Sequence, residues 1–143
     1  MREIAFTIMG EPKHQERHRD RKPVFKGGHG YTPKYDPSAK DKETFLALSR
    51  QYAPEKPIET PVKLLVICYF SRLKSHYRTG KFSKELRPDA PKIHTSKPDF
   101  DNLAKLAADS LTGIFWIDDS VIYDGRAVKF YDEYARTEVH IIY

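Results

Sequence analysis

The run Val62-Lys63-Leu64-Leu65-Val66-Ile67-Cys68-Tyr69-Phe70 is the strongest constraint on how this chain can fold. A short apolar stretch rich in β-branched residues predicts a central strand covered on both faces. Such a strand needs neighbours, and the rest of the sequence supplies them. Glu3–Met9 alternates Ile4, Phe6 and Ile8 on one side, which predicts a half-buried strand ended by Gly10 and Pro12. A helix is expected from Asp36-Pro37-Ser38, with Asp36 as cap, a first-turn proline, and Phe45, Leu48 and Ala53 facing inward. It should stop near Ala53, ahead of Pro54 and Pro57.

A second helix is expected from Phe100 or Asp101 to Thr112, because Leu103, Leu106, Ala107, Ser110 and Leu111 recur at helical spacing and Gly113 supplies a stop. Ser120–Tyr131 and Tyr134–Tyr143 alternate apolar with polar around Asp132-Glu133, the pattern of an antiparallel hairpin. These elements predict an α/β (α+β) fold. It is a single compact domain over residues 1–143, with a mixed β-sheet, two packed helices and a C-terminal antiparallel hairpin. A chain of 143 residues can bury a core without disulfide or zinc staples.

Several function classes drop out. Cys68 has no partner for an intramolecular bridge and lies in the apolar run, so a buried, inert thiol in a reducing compartment is expected. The N-terminus Met1-Arg2-Glu3 carries charge where a signal peptide needs apolar residues, and no apolar run approaches bilayer length. A cytoplasmic protein with no membrane partner follows. No glycine-rich nucleotide loop is present, so no nucleotide cofactor is expected. His14 and His18 are four apart, but no glutamate follows the first histidine as the zinc-protease motif requires. His94 reads as a solvated loop residue, with approach to DNA the alternative.

The net charge of +5 matters less than its distribution. Residues 71–97 set eight lysines and arginines against Glu85 and Asp89, a net +6, whereas residues 98–143 carry −5. The basic segment lacks apolar periodicity and reads as a mobile loop, as does the basic stretch of about 11–33. Lys74, Arg78 and Lys81 in one loop, with Arg17, Arg19 and Arg21 in the other, are the candidate contacts to nucleic-acid phosphates. A solubilising charged surface is the plainer alternative.

The acidic segment opens with Lys97-Pro98-Asp99-Phe100-Asp101-Asn102-Leu103-Ala104-Lys105 and continues to Asp118-Asp119. An aspartate ahead of a helix is most often an N-cap, and Asp101 suits that role. Capping does not account for Asp99 as well, since one helix has one N-cap. In an extended lead-in after Pro98 the two carboxylates would project to one side and repel, and a bound cation is the simplest compensation. Asp118 and Asp119, as neighbours, face opposite ways in extended chain, so one of them can join such a site while the other serves a strand-end turn or assists the metal. Lys105 follows Asp101 by one helical turn. It can face an anionic substrate or pair with Asp109.

The ordered set Lys97 to Lys105, Asp109-Ser110-Leu111 and Phe115-Trp116-Ile117-Asp118-Asp119 resembles the signature of RusA-type Holliday-junction resolvases. Gly10-Glu11-Pro12-Lys13, Tyr31-Thr32-Pro33 and Lys74–Lys81 resemble stretches of phage-borne members. The resemblance implies a Mg²⁺-dependent endodeoxyribonuclease, with Mn²⁺ able to substitute, acting in DNA recombination and repair. In that reading Asp99, Asp101 and Asp119 bind the metal, with Asp118 a further candidate, and Lys105 faces the scissile phosphate. It also implies a homodimer that cuts opposed strands of a four-way junction and leaves 5′-phosphate ends. The rivals are a metal-dependent nuclease for flaps or other branched DNA, and a non-catalytic DNA-binding protein whose acids only cap a helix and solvate a strand end.

Overall fold

The computed structural model describes residues 1–16, 19–20, 24–26, 29–31 and 34–143, with backbone alone between residues 19 and 34. Strand β1 (Glu3–Met9) is followed by the short strands β2 (Arg19–Asp20), β3 (Val24–Lys26), β4 (His29–Tyr31) and β5 (Lys34–Tyr35). Then come helix α1 (Ala39–Ser49), β6 (Val62–Ser71), helix α2 (Phe100–Leu111), β7 (Ile122–Asp132) and β8 (Arg136–Ile142). The main sheet has the order β1-β8-β6-β7, with β6 parallel to β7 and antiparallel to β8. The α/β (α+β) class, the mixed sheet and the two packed helices are as the sequence predicts. Among the described residues no helix is long and apolar enough to cross a membrane.

The central strand departs from expectation in one respect. Val62, Leu64, Val66, Cys68 and Phe70 are buried on the helix-covered face, whereas Lys63, Leu65, Ile67 and Tyr69 on the other face are only half-buried. Side chains alternate across a strand, so helices stacked on one face bury only every second residue. On the open face Arg136 lies over the Tyr69 ring at 3.8 Å.

The two C-terminal strands run antiparallel through a turn at residues 133–135, but β6 is inserted between them and takes ladder bonds from both. The hairpin is therefore split. Local alternation specifies which face of a strand is buried and is silent about which strand lies beside it.

Helix α1 begins later than the sequence suggests. Asp36 accepts from the Ser38 amide at 2.9 Å in a turn ahead of the helix, and Ser38 takes the N-cap position. Phe45 is buried, but Leu48 is half exposed, so the expected inward stripe is narrower; Ser49, fully buried, bonds the Phe45 carbonyl instead. A 3₁₀ turn at Arg50–Tyr52 closes the helix, and Ala53 packs on the core.

Helix α2 is the main pillar. Leu103, Leu106, Ala107, Ser110 and Leu111 bury one stripe against β6 and β7, and Gly113 at φ +87° turns the chain away. Phe115 and Trp116 fill the core beyond its end with no exposed surface. Truncating a core leucine such as Leu106 to alanine would cost about 2–5 kcal/mol. Cys68 is buried, and desolvation pushes its thiol up to about 12, as expected of an inert cysteine.

Candidate active site

Asp99 holds the N-cap position of α2 in extended conformation, and its carbonyl accepts from the Leu103 amide at 3.3 Å. Its carboxylate makes no capping bond. Asp101 sits in the first helical turn, so the sequence reading is reversed: the cap position belongs to Asp99, and Asp101 lies inside the helix rather than in an extended lead-in. The Lys97–Pro98 peptide just before is cis. Asp99 and Asp101 line one open cleft of about 350 Å³, together with Phe100 and with Lys129 from β7. The partial positive charge of the helix N-terminus favours anions there.

Lys105 lies one turn further on α2, with its ammonium 3.5 Å from Asp109. Lys42 from α1 reaches the same Asp109 oxygen at 3.5 Å and Asp36 at 2.7 Å. The Lys42 hydrogen bond holds the Asp36 carboxyl down at about 2. Lys105 is the exposed member of this chain of charges, and Lys42 its more enclosed one.

Asp118 and Asp119 lie at the other end of the helix. Asp118 accepts from the Ser120 amide at 3.0 Å and caps the 3₁₀ turn Asp119–Val121; hydrogen bonds from Ser120 hold its carboxyl below the usual carboxylate range. Asp119 accepts from the Thr112 hydroxyl and, at 3.4 Å, from the Trp116 indole N–H. Thr112 and Trp116 are the residues sequence reasoning missed as supports of this carboxylate. Thr112 follows the last turn of α2, and eleven residues at the helical rise separate it from Asp101 by roughly 16 Å. The structure brings Asp99 and Asp101 together and leaves Asp119 apart. Among the described residues no three His, Cys, Asp or Glu side chains form a metal-holding group.

The basic loop after β6 has short-range structure of its own. Lys74–His76 and Gly80–Phe82 form 3₁₀ turns, and Tyr77 bridges Leu86. Arg78 bonds Glu85 at 2.7 Å and lies over the Phe82 ring at 4.1 Å, where Lys81 also approaches. Lys74, Arg78 and Arg87 line a cleft of about 690 Å³. Arg17 and Arg21 lie outside the described residues, as does the side chain of Arg19.

His94 is not solvated, contrary to expectation. It stacks on Phe70 at 3.9 Å and tilts against Tyr131 at 4.9 Å, and burial lowers its pKa, assisted by the nearby Lys129 charge. The signal for this lies in the partners: Phe70 and Tyr131 pair across β6 and β7 and present an aromatic platform that the loop covers.

Comparison with known proteins places this geometry in context. The chain is similar to the uncharacterized protein YqaN of Bacillus subtilis (strain 168), 33% identical over 138 residues that cover 96% of this chain and 94% of that one. The family model described as Endodeoxyribonuclease RusA matches residues 9–142, a span that includes the Asp99–Asp101 cleft, the Lys105 face of α2 and the Asp118-Asp119 turn. The chain belongs to the RusA endodeoxyribonuclease family.

Proposed function

We propose that the protein is a Mg²⁺-dependent, structure-specific endonuclease that resolves four-way DNA junctions by paired phosphodiester hydrolysis, in the cytoplasm, during DNA recombination and repair. One observation carries the reading: Asp99 stands where a capping aspartate would bond the helix amides, yet its side chain makes no cap bond, and Asp99 lines one open cleft with Asp101. A purely structural acid would cap. Two acids of one cleft whose side chains take no hydrogen bond among the described residues favour a bound cation.

The donor set fits magnesium, which is held by one or two carboxylates and keeps its remaining positions for water and phosphate oxygen. Bound by Asp99 and Asp101, it would supply an acidified water and polarise the phosphate; Mn²⁺ would substitute. Lys105 supplies positive charge for the phosphate as negative charge develops on it. Its departure from Asp109 leaves that carboxylate still paired with Lys42, so the ammonium can turn to DNA without stranding an anion. Lys74, Arg78 and Lys81, with Arg17, Arg19 and Arg21, contact the DNA backbone.

A homodimer completes the site in this reading. The length of α2 keeps Asp119 from Asp101 of its own chain, so the third carboxylate is Asp119 of the partner subunit, and Asp118 stays with its turn. Phe100, 64% exposed beside the acids, and Ile117, 49% exposed beside Asp118, are the apolar residues that a two-fold contact would cover. Two such sites would cut opposed strands and leave 5′-phosphate ends.

The test is cleavage of synthetic four-way junctions, flaps and linear duplexes, with and without Mg²⁺. Paired nicks in the junction alone, only with metal, are expected. Preferential flap cutting would replace the junction assignment, and binding without metal-dependent cutting would sink the catalytic reading.

A further inference from the structure

We infer that Lys129 is a positioning residue of this site, holding the turn that presents Asp99. The inference rests on the endonuclease reading and deepens it.

Lys129 pairs with Cys68 across the parallel β6–β7 ladder. Paired residues point to the same face, and Cys68 is buried on the helix-covered one. The lysine therefore shares that face with Ala127 and Tyr131, which pack on the core, and is half-buried. It lines the same cleft as Asp99 and Asp101 at the N-terminus of α2.

The ammonium donates to the Ser96 carbonyl at 2.5 Å, three residues before Asp99. The backbone around it holds the same segment. The His94 amide donates to the Lys129 carbonyl at 3.2 Å, the Tyr131 amide to the Lys92 carbonyl at 2.8 Å, and Ile93 bridges Phe130. Strand β7 thus lays residues 92–94 along its free edge, and the Lys129 side chain extends that hold to Ser96, where the backbone pairing has ended. The next residues, Lys97 and Pro98, lead directly into the carboxylate that fails to cap. A lysine pointing straight into solvent would not reach the Ser96 carbonyl.

Amide hydrogen exchange of the whole protein, compared between wild type, Lys129→Met and Lys129→Arg, tests the hold on the turn without requiring activity. Lys129→Met should speed exchange across residues 97–103 by roughly tenfold and leave the rest of the sheet unchanged. In single-turnover junction cleavage at saturating Mg²⁺ it should slow the rate by roughly tenfold to a hundredfold, the effect of a misplaced catalytic group, with junction affinity within about twofold. Lys129→Arg should restore the protection and most of the rate. Unchanged exchange over 97–103 in Lys129→Met overturns the inference whatever the activity. Faster exchange throughout the molecule, with Lys129→Arg no better, overturns it in favour of a general structural role. Lys129→Gln serves if the methionine variant does not fold. A wild-type protein that cuts no branched DNA would refute the endonuclease reading on its own, while the exchange comparison still decides what Lys129 holds.

Discussion

Lys42 of α1 reaches Asp109 of α2 at 3.5 Å, on the same carboxylate oxygen that Lys105 approaches at 3.5 Å. One anion thus serves two cations, one enclosed between the helices and one exposed on the face that carries Asp101. The enclosed pair joins the helices. The exposed one is available for other work.

Lys105→Ala should therefore slow single-turnover junction cleavage by roughly two to three orders of magnitude while the melting temperature barely changes. Asp109 keeps Lys42, and the exposed ion pair with Lys105 contributes only a few tenths of a kcal/mol, about what alanine returns as the better helix former. Near-normal cleavage by the variant would exclude a phosphate contact.

Asp101→Asn should abolish Mg²⁺-dependent cleavage and leave junction binding intact or tighter, because it weakens the cation site while removing repulsion toward phosphate. A gel-shift titration beside the cleavage assay separates the two effects. Substantial metal-dependent cutting by the folded variant would remove Asp101 from the site.

Mixing Asp101→Asn with Asp119→Asn chains tests whether the sites span two subunits. Each variant alone has two damaged sites, but a mixed dimer regains one intact site if Asp119 serves the partner. Restored nicking of a single strand is the expected outcome. No recovery in verified mixed dimers would assign Asp119 to its own chain.

Neutralising Lys74, Arg78 and Lys81 together should weaken DNA binding and flatten its dependence on salt, since each lost phosphate contact lowers the slope by about one. An unchanged slope would make the loop a solvated surface only.

The Asp36 carboxyl is depressed from 3.8 to about 2 by its hydrogen bond from Lys42, so it binds a proton more readily in the unfolded chain than in the folded one. Stability from this group is fully present above pH of about 4 and is lost as pH falls toward 2. Asp36→Asn should be less stable than wild type at neutral pH by about 1 kcal/mol, with the gap closing over that acid range. Paired thermal melts between pH 2 and 6 measure it. A gap independent of pH would assign the loss to packing.

Whatever depends on near neighbours was legible in the residues alone. The burial stripe of α2, its stop at Gly113, the edge pattern of β1 and the closeness of Asp99 to Asp101 all follow from spacing along a few turns of chain. The i to i+4 partnership of Lys105 with Asp109 was legible for the same reason. Tertiary structure decided what depends on which strand lies beside which. Insertion of β6 between β7 and β8 split the hairpin, left one face of β6 half-covered, and built the Phe70–Tyr131 platform that buries His94. It also brought Lys129 into one cleft with Asp99 and Asp101, nearly thirty residues earlier, and the straight run of α2 carried Asp119 away from them. Helical and strand periodicities are short-range properties of the backbone, whereas strand order is selected by the burial of whole faces, which no local pattern specifies.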